Sequence, residues 1–302
     1  PGNAASTVLL ARVSNANVDN LNQFAAAITP DNVSADEVMG KLYQWGRNVP
    51  FDYSVAPVVS NTRVNANDAA VWGNNLIVPG ANPHNWLDNA VAGDTWTTLV
   101  AKATSAPAGY TGTNGGDPCP NGWRLPEEGE YLAMLPSPIH NEVNFYGNVN
   151  KKDYAEQITI NSMTTDYTAD YYSTTPNVIY ALKMKSADNA QLTAYRYEYR
   201  SNKGLWVIAR PLGESGAGVT VEQIAVDSYW AANAAGDVIR YFPSTGHYNI
   251  YGNAVYRGSH GVYWSSSGRN ATSAWSMDFY GTSVSRGHNY KSNAFSLRCV
   301  RD

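Results

Sequence analysis

From Ala274 to Tyr280 the side chains alternate with period two: Trp275, Met277 and Phe279 point one way, Ser276, Asp278 and Tyr280 the other. Phe295, Leu297 and Cys299 alternate likewise with Ser296 and Arg298. Such strands bury one face and wet the other, the habit of antiparallel sheets. Asp237 to Pro243 and Gly261 to Trp264 add strand-like runs, with a turn at Ser-Thr-Gly246 between them. Gly281 to Asn293 is small, polar and aromatic and is expected to form a loop. Trp123, Trp264, Trp275 and Phe295 are assigned to the core.

The text before this tail is less regular. A β-like run covers Thr7 to Val13. Ser34-Ala-Asp-Glu37 has capping-box spacing and predicts a helix over about 35–45, ended by Pro50. Residues 52–116 are expected to be loops with short strands, among them Asn75 to Pro79. Pro126 followed by Glu127, Glu128 and Glu130 marks a second helix to Leu135, with acidic groups at the positive end of its dipole. Tyr195-Arg-Tyr-Glu-Tyr199 alternates, and Leu205 to Ala209 has the composition of a buried strand. The segment 139–203 is expected to be an insertion or elaborated loop, and Gly213 to Gly218 a flexible loop.

Composition excludes several classes. Only 15% of residues are charged, which rules out disorder driven by charge. The net charge is −4, and no basic face is present to neutralise phosphates, so a nucleic-acid partner is not expected. No apolar run approaches the roughly 20 residues of a membrane span. There are 21 Tyr against 6 Phe, and polar-tipped aromatics favour binding surfaces as well as wet sheet faces. The chain opens on Pro1 without a charged and apolar leader, which points to a mature or trimmed chain whose export signal is not visible. Cys119 and Cys299 are the only cysteines. A distant pair in an exported protein is most simply one disulfide. Two buried thiols are the alternative, and no CxxC or HxxxH spacing supports zinc.

Tyr43-Gln-Trp-Gly-Arg47, Asn85-Trp-Leu-Asp88, Asp117-Pro-Cys-Pro-Asn-Gly-Trp-Arg-Leu-Pro126, Tyr263-Trp-Ser-Ser266 and Phe295-Ser-Leu-Arg-Cys-Val-Arg-Asp302 occur in that order. This series resembles the Fibrobacter succinogenes major paralogous domain family, common in exported Bacteroidetes proteins. The resemblance covers about 40–302 and leaves 1–39 as an N-terminal extension. It implies an α+β, C-type-lectin-like fold: two helices packed on small twisted antiparallel sheets with long loops. It also implies that Cys119 pairs with Cys299, and that the protein is extracellular or at the cell surface, in the company of adhesins and fimbrial proteins. Glu127 stands where that family usually has a helix-capping Thr.

The tail from Tyr263 to Arg301 is also similar to the variable region of diversity-generating retroelement proteins, whose lectin-fold C-terminus diversifies its exposed positions over fixed Trp and apolar residues. Ser276, Asp278, Tyr280, Ser285, His288 and Tyr290 fit that layout.

Chemistry-bearing motifs are missing. The Glu-Pro-Asn or Gln-Pro-Asp triplet of calcium-dependent lectins is absent, and Asp166, Asp170, Asp227 and Asp237 are scattered where calcium needs six to eight oxygens. The reactive cysteine pair of formylglycine-generating oxidases is absent. His84, His140, His247, His260 and His288 show no metal-ligand spacing, and there is no Gly-x-Ser-x-Gly, Walker lysine or HExxH. The glutamates at 127, 128 and 130 suit a helix start better than a glycosidase pair. Asn270-Ala-Thr272 matches a glycosylation sequon. The expectation is therefore a ligand- or receptor-binding surface protein with no catalytic residues, no metal and no cofactor. Its partner is a protein or glycan on another surface, and the oligomeric state is left open. The expected face comprises Arg269, Ser273, Ser276, Asp278, Tyr280, Ser285, His288, Tyr290 and Lys291. A structural or tip subunit of a fimbria-like assembly is the alternative, and a glycan-active surface enzyme a weaker one.

Overall fold

A computed structural model describes residues 10–65, 68, 73–102, 116–136, 149–173, 175–185, 192–213, 218–281 and 283–301. The first part of the N-terminal run (7–9), the start of the expected insertion (139–148), His140 and residues 214–217 of the glycine loop lie outside them. The chain is α+β, with strands dominant and, among the described residues, every helix short.

The largest sheet has eight strands. Its path runs β14 (Ala254–Val255), β13 (His247–Tyr248), β18 (Ala294–Ser296), β15 (His260–Gly268), β16 (Ser273–Tyr280), β17 (Ser283–Tyr290). β2 (Leu42–Gln44) pairs with β18, and β3 (Pro50–Phe51) with β2. The segment expected to be a loop over 281–293 is thus largely strand β17, paired along its whole length with β16. A three-stranded sheet places β19 (Arg298–Arg301) between β1 (Val13–Asn17) and β6 (Trp123–Arg124). The N-terminal segment is therefore knitted to the last strand. β4 (Val59–Ser60) and β5 (Leu76–Ile77) form a parallel pair.

Most of the segment read as an insertion is a regular meander. β7 (Val149–Ile160), β8 (Met163–Ser173), β9 (Val178–Lys185), β10 (Leu192–Arg200), β11 (Gly204–Gly213) and β12 (Val238–Pro243) lie side by side in sequence order. Asn161 and Ser162, at φ 50° and 61°, form the two-residue turn from β7 to β8, a conformation whose twist matches that of the flanking strands. Tyr195, Tyr197 and Tyr199 turn inward, and Arg196, Glu198 and Arg200 turn outward, as the alternation predicts.

The expected first helix is only α1 (Asp36–Met39). Gly40, at φ +66°, ends it and presses on Val18, whose carbonyl oxygen lies 2.4 Å from where a Cβ would sit. The expected second helix is α3 (Glu128–Met134). Trp96–Lys102 forms α2, where only loops and short strands were expected. α4 (Val221–Ile224) and α5 (Asp227–Trp230) cover part of the outer face of the meander.

α3 lies between the meander and the large sheet. Tyr131, Leu132, Met134 and Leu135 pack with Tyr171, Ile179, Tyr195, Tyr197 and Leu205 from one side and Tyr263, Met277, Phe279 and Val284 from the other. Buried Lys183 reaches across from β9 and donates to the carbonyls of Leu132 and Ala133 at 3.0 and 3.3 Å, capping the negative end of the helix. At the other end buried Glu130 accepts two hydrogen bonds from the Arg124 guanidinium, at 2.7 and 2.8 Å, and one from the Glu127 N–H. Glu130 is therefore a paired internal anion, more than a dipole partner. Gly129 faces β7: a Cβ there would lie 1.8 Å from the Thr159 carbonyl oxygen. Gly129→Ala, which stabilises an ordinary helix by about 1 kcal/mol, should here reverse sign and cost about 1–3 kcal/mol. Urea denaturation checks the sign; a raised midpoint would refute the close packing.

The opposite face of the large sheet covers a second core of Trp45, Trp86, Trp96, Trp264, Phe295 and Leu297, with Cys119 and Cys299 among them. Each buried indole donates: Trp45 to Ser265 O (2.8 Å), Trp86 to Trp45 O (2.7 Å), Trp96 to Asn48 Oδ1 (2.9 Å) and Trp264 to Tyr43 O (2.9 Å). The indoles thus pack apolar area and tie down loop backbone together. Trp123 is only partly buried, edge-on to Phe24. Cys119 and Cys299 form a disulfide.

The last strands depart from one-face-wet alternation. Ser296 and Arg298 are buried, so both faces are covered. Arg298 donates to Ser14 O at 3.1 Å and Tyr241 O at 2.5 Å and lies over the Phe242 ring at 4.7 Å. Burial lowers its pKa to about 10.

Candidate functional site

Among the described residues β16 and β17 form one side of the large sheet, with β17 its last strand. Their register opposes Ser273 to Tyr290, Trp275 to His288, Met277 to Arg286 and Phe279 to Val284 on one face. The inner half of that face, Met277, Phe279 and Val284, packs on α3. The outer half passes beyond the helix and opens to solvent.

There the β15–β16 loop and the strand ends frame a cleft of about 340 Å³ lined by Arg269, Asn270, Thr272, Ser273, His288, Asn289 and Tyr290. The loop is held by one side chain. Asn270 Oδ1 accepts from the N–H groups of Thr272 (2.9 Å) and Ser273 (2.8 Å) and from both their hydroxyls (3.1 and 2.9 Å). Such an Asx turn fixes the loop without secondary structure. Arg269, Ser273, His288 and Tyr290, four of the expected residues, thus line this cleft together.

Trp275 is not in the core. It is half-buried beside the cleft, edge-on to His288 at 5.8 Å, with the Arg286 and Arg269 guanidinium carbons 4.1 and 5.5 Å from its ring centroid. The period-two pattern placed it with Met277 and Phe279. The parity holds, but α3 is too short to cover it. Arg286 is ion-paired with Glu128 of α3. His84, from a distant loop, meets Tyr290 edge-on at 4.9 Å. The functional candidates missed by sequence are therefore Trp275, Asn270 and His84; only the sequon drew notice to Asn270.

The remaining expected residues lie elsewhere. Ser276, Asp278, Tyr280 and Ser285 are on the other face of the same hairpin. Ser276 and Ser285 are buried, and Asp278 and Tyr280 half-buried, so the expected exposed strip is largely covered. Asp278 accepts from Ser276 Oγ at 2.6 Å and Asn289 Nδ2 at 3.1 Å, and its carboxylate fills the space that a Cβ on Gly287 would need. Tyr280 stacks on His260 at 5.1 Å, which stacks on Tyr256 at 4.3 Å. Burial lowers the His260 pKa and brings His247 to about 4. Lys291, expected at the rim, is buried with its ammonium 4.5 Å from the Trp45 ring centroid. Desolvation pulls its pKa down to about 8, partly opposed by Asp94.

Among the described residues no three His, Cys, Asp or Glu side chains group to hold a metal ion. No helix there is long and apolar enough to cross a membrane. Asp237, weighed as a scattered carboxylate, is half-buried and ion-paired with Arg210 at 2.8 Å.

Fold and site together define a disulfide-linked α+β protein that presents an aromatic and polar cleft at the end of an edge hairpin. The profile of a family described as a domain of unknown function, DUF8237, matches residues 94–300, and the chain belongs to that family. No curated protein and no solved structure matches it.

Proposed function

We propose that this chain is a non-enzymatic ligand-binding protein of the cell surface or extracellular space, of C-type-lectin-like architecture, that binds through the cleft at the open end of the β16–β17 hairpin. One observation carries the reading. Residues from separate segments, Arg269 and Ser273 on the β15–β16 side and His288 and Tyr290 on β17, converge on a single concave pocket. Its volume falls within the range of small-molecule sites, roughly 300–1,000 Å³. A rigid platform supports it, since the inner half of the same face is packed on α3. The buried Cys119–Cys299 disulfide supports an oxidising compartment.

The test is a glycan and protein array probed with the full chain, Tyr290→Ala and Tyr280→Ala. Tyr290→Ala should weaken ligand binding about tenfold or more, the scale of an aromatic hot spot, at unchanged melting temperature. Tyr280→Ala, on the other face, should leave binding intact. Equal binding by all three proteins would remove the cleft from the account. The structural-subunit reading has one observation in its favour: β17 is an edge strand that a neighbour's strand can extend. Lost assembly with intact ligand binding in a β17 proline variant would favour it.

A further inference from the structure

We infer that the cleft takes a saccharide carrying a carboxylate or sulfate group; this rests on the binding role proposed above and names its ligand class. Three features converge. The first is an uncommitted cation. Arg269 is exposed, and no carboxylate pairs with its guanidinium among the described residues. The nearby Arg286 is different, since Glu128 holds it. Asp278 belongs to the other face, bonded to Ser276 and Asn289. Among the described residues no acidic side chain lines the cleft. A guanidinium with free donors matches the paired oxygens of a carboxylate or sulfate.

The second is the disposition of polar groups. Asn270 Oδ1 is fully engaged by its own loop, which turns the Thr272 and Ser273 hydroxyl protons inward and leaves their oxygen lone pairs as acceptors. The Trp275 indole N–H and the Tyr290 hydroxyl make no hydrogen bond among the described residues and stand as donors. Sugar hydroxyls, which donate and accept at once, satisfy both kinds. The third is apolar area. Exposed Tyr290, which lines the cleft, offers ring surface beside the charge, where the C–H face of a pyranose can lie. A pocket of about 340 Å³ suits a sugar better than a protein partner, which needs about 800 Å² of its own surface buried.

The experiment measures binding of the full chain to an oligogalacturonide, a sulfated galactan, a neutral galactan and polyglutamate, repeated with Arg269→Gln, Arg269→Lys and Tyr290→Ala. The expected result is binding to both acidic sugars, at least about tenfold weaker binding to the neutral galactan and to polyglutamate, and weakening with rising salt. Arg269→Gln should lose about tenfold for the acidic sugars only, and Arg269→Lys should recover part of it, both with unchanged melting. Equal affinity for the neutral galactan, still lost in Tyr290→Ala, would overturn the acidic class while sparing the cleft. Polyglutamate binding as tightly as the acidic sugars would overturn the saccharide. Binding to the acidic sugars that survives both Arg269→Gln and Tyr290→Ala would overturn the inference and the cleft together.

Discussion

Replacing both Cys119 and Cys299 by Ala should destabilise the chain by about 5 kcal/mol. The bridge closes a loop of 180 residues, and the entropy that such a closure removes from the unfolded chain grows with the logarithm of loop length. For a chain of this size that loss corresponds to a fall of about 8 °C in melting temperature. Both sulfurs are buried in the Trp core, so the replaced side chains also leave packing defects. Thermal melts of the oxidised protein, the reduced protein and the double variant are the measurement. The reduced protein should melt well below the oxidised one and the double variant lower still, by its packing defects; coincidence of the oxidised and reduced proteins would show that the bridge constrains nothing.

Trp264→Ala is expected to cost about 3–5 kcal/mol, the usual range for emptying a buried aromatic site. Trp264 is fully buried at the centre of the large sheet and contacts Phe295 with ring centroids 4.2 Å apart. It also donates to the Tyr43 carbonyl inside the protein, a bond the variant loses. Trp264→Phe keeps most of the volume and loses only the donor, so it should cost clearly less. Denaturant midpoints of the two variants separate the terms. Equal losses would make the hydrogen bond the dominant one.

The parts of the fold visible in sequence are those where one side chain does one local job. In the Asp117 to Pro126 string, Asp117 accepts the N–H groups of Cys119 and Leu125 at 2.8 and 2.9 Å, Gly122 supplies a φ of +77°, and Trp123 and Arg124 pair with β19. Each residue type is needed where it stands, so the string is distinctive. The β16 alternation is correct in parity for the same reason. What it cannot report is depth: Ser276 and Trp275 have opposite parity, yet the serine is buried and the tryptophan half-exposed, because cover comes from α3 and from loops distant in sequence.

The six-stranded meander was hidden for a different reason. Its inner face includes Tyr195, Tyr197 and Lys183, residues that read as polar, and the polar tips of Tyr197 and Lys183 find carbonyls at the end of α3. Only the tertiary partner makes such a face a core. His84 reaches the cleft from a loop with no periodicity, and nothing near it in sequence announces that contact. Arg298 likewise looks solvent-directed until β1 and β12 close around it.

The middle position of β19, with β1 on one flank, β6 on the other and Cys299 within it, has a consequence for biosynthesis. A ribosome delivers this strand after every element that it joins. Until then the earliest segment has no sheet to enter and Cys119 has no sulfur to meet. The sheet and the covalent link therefore both stay open until this closing strand has been made, and a single late segment completes them together.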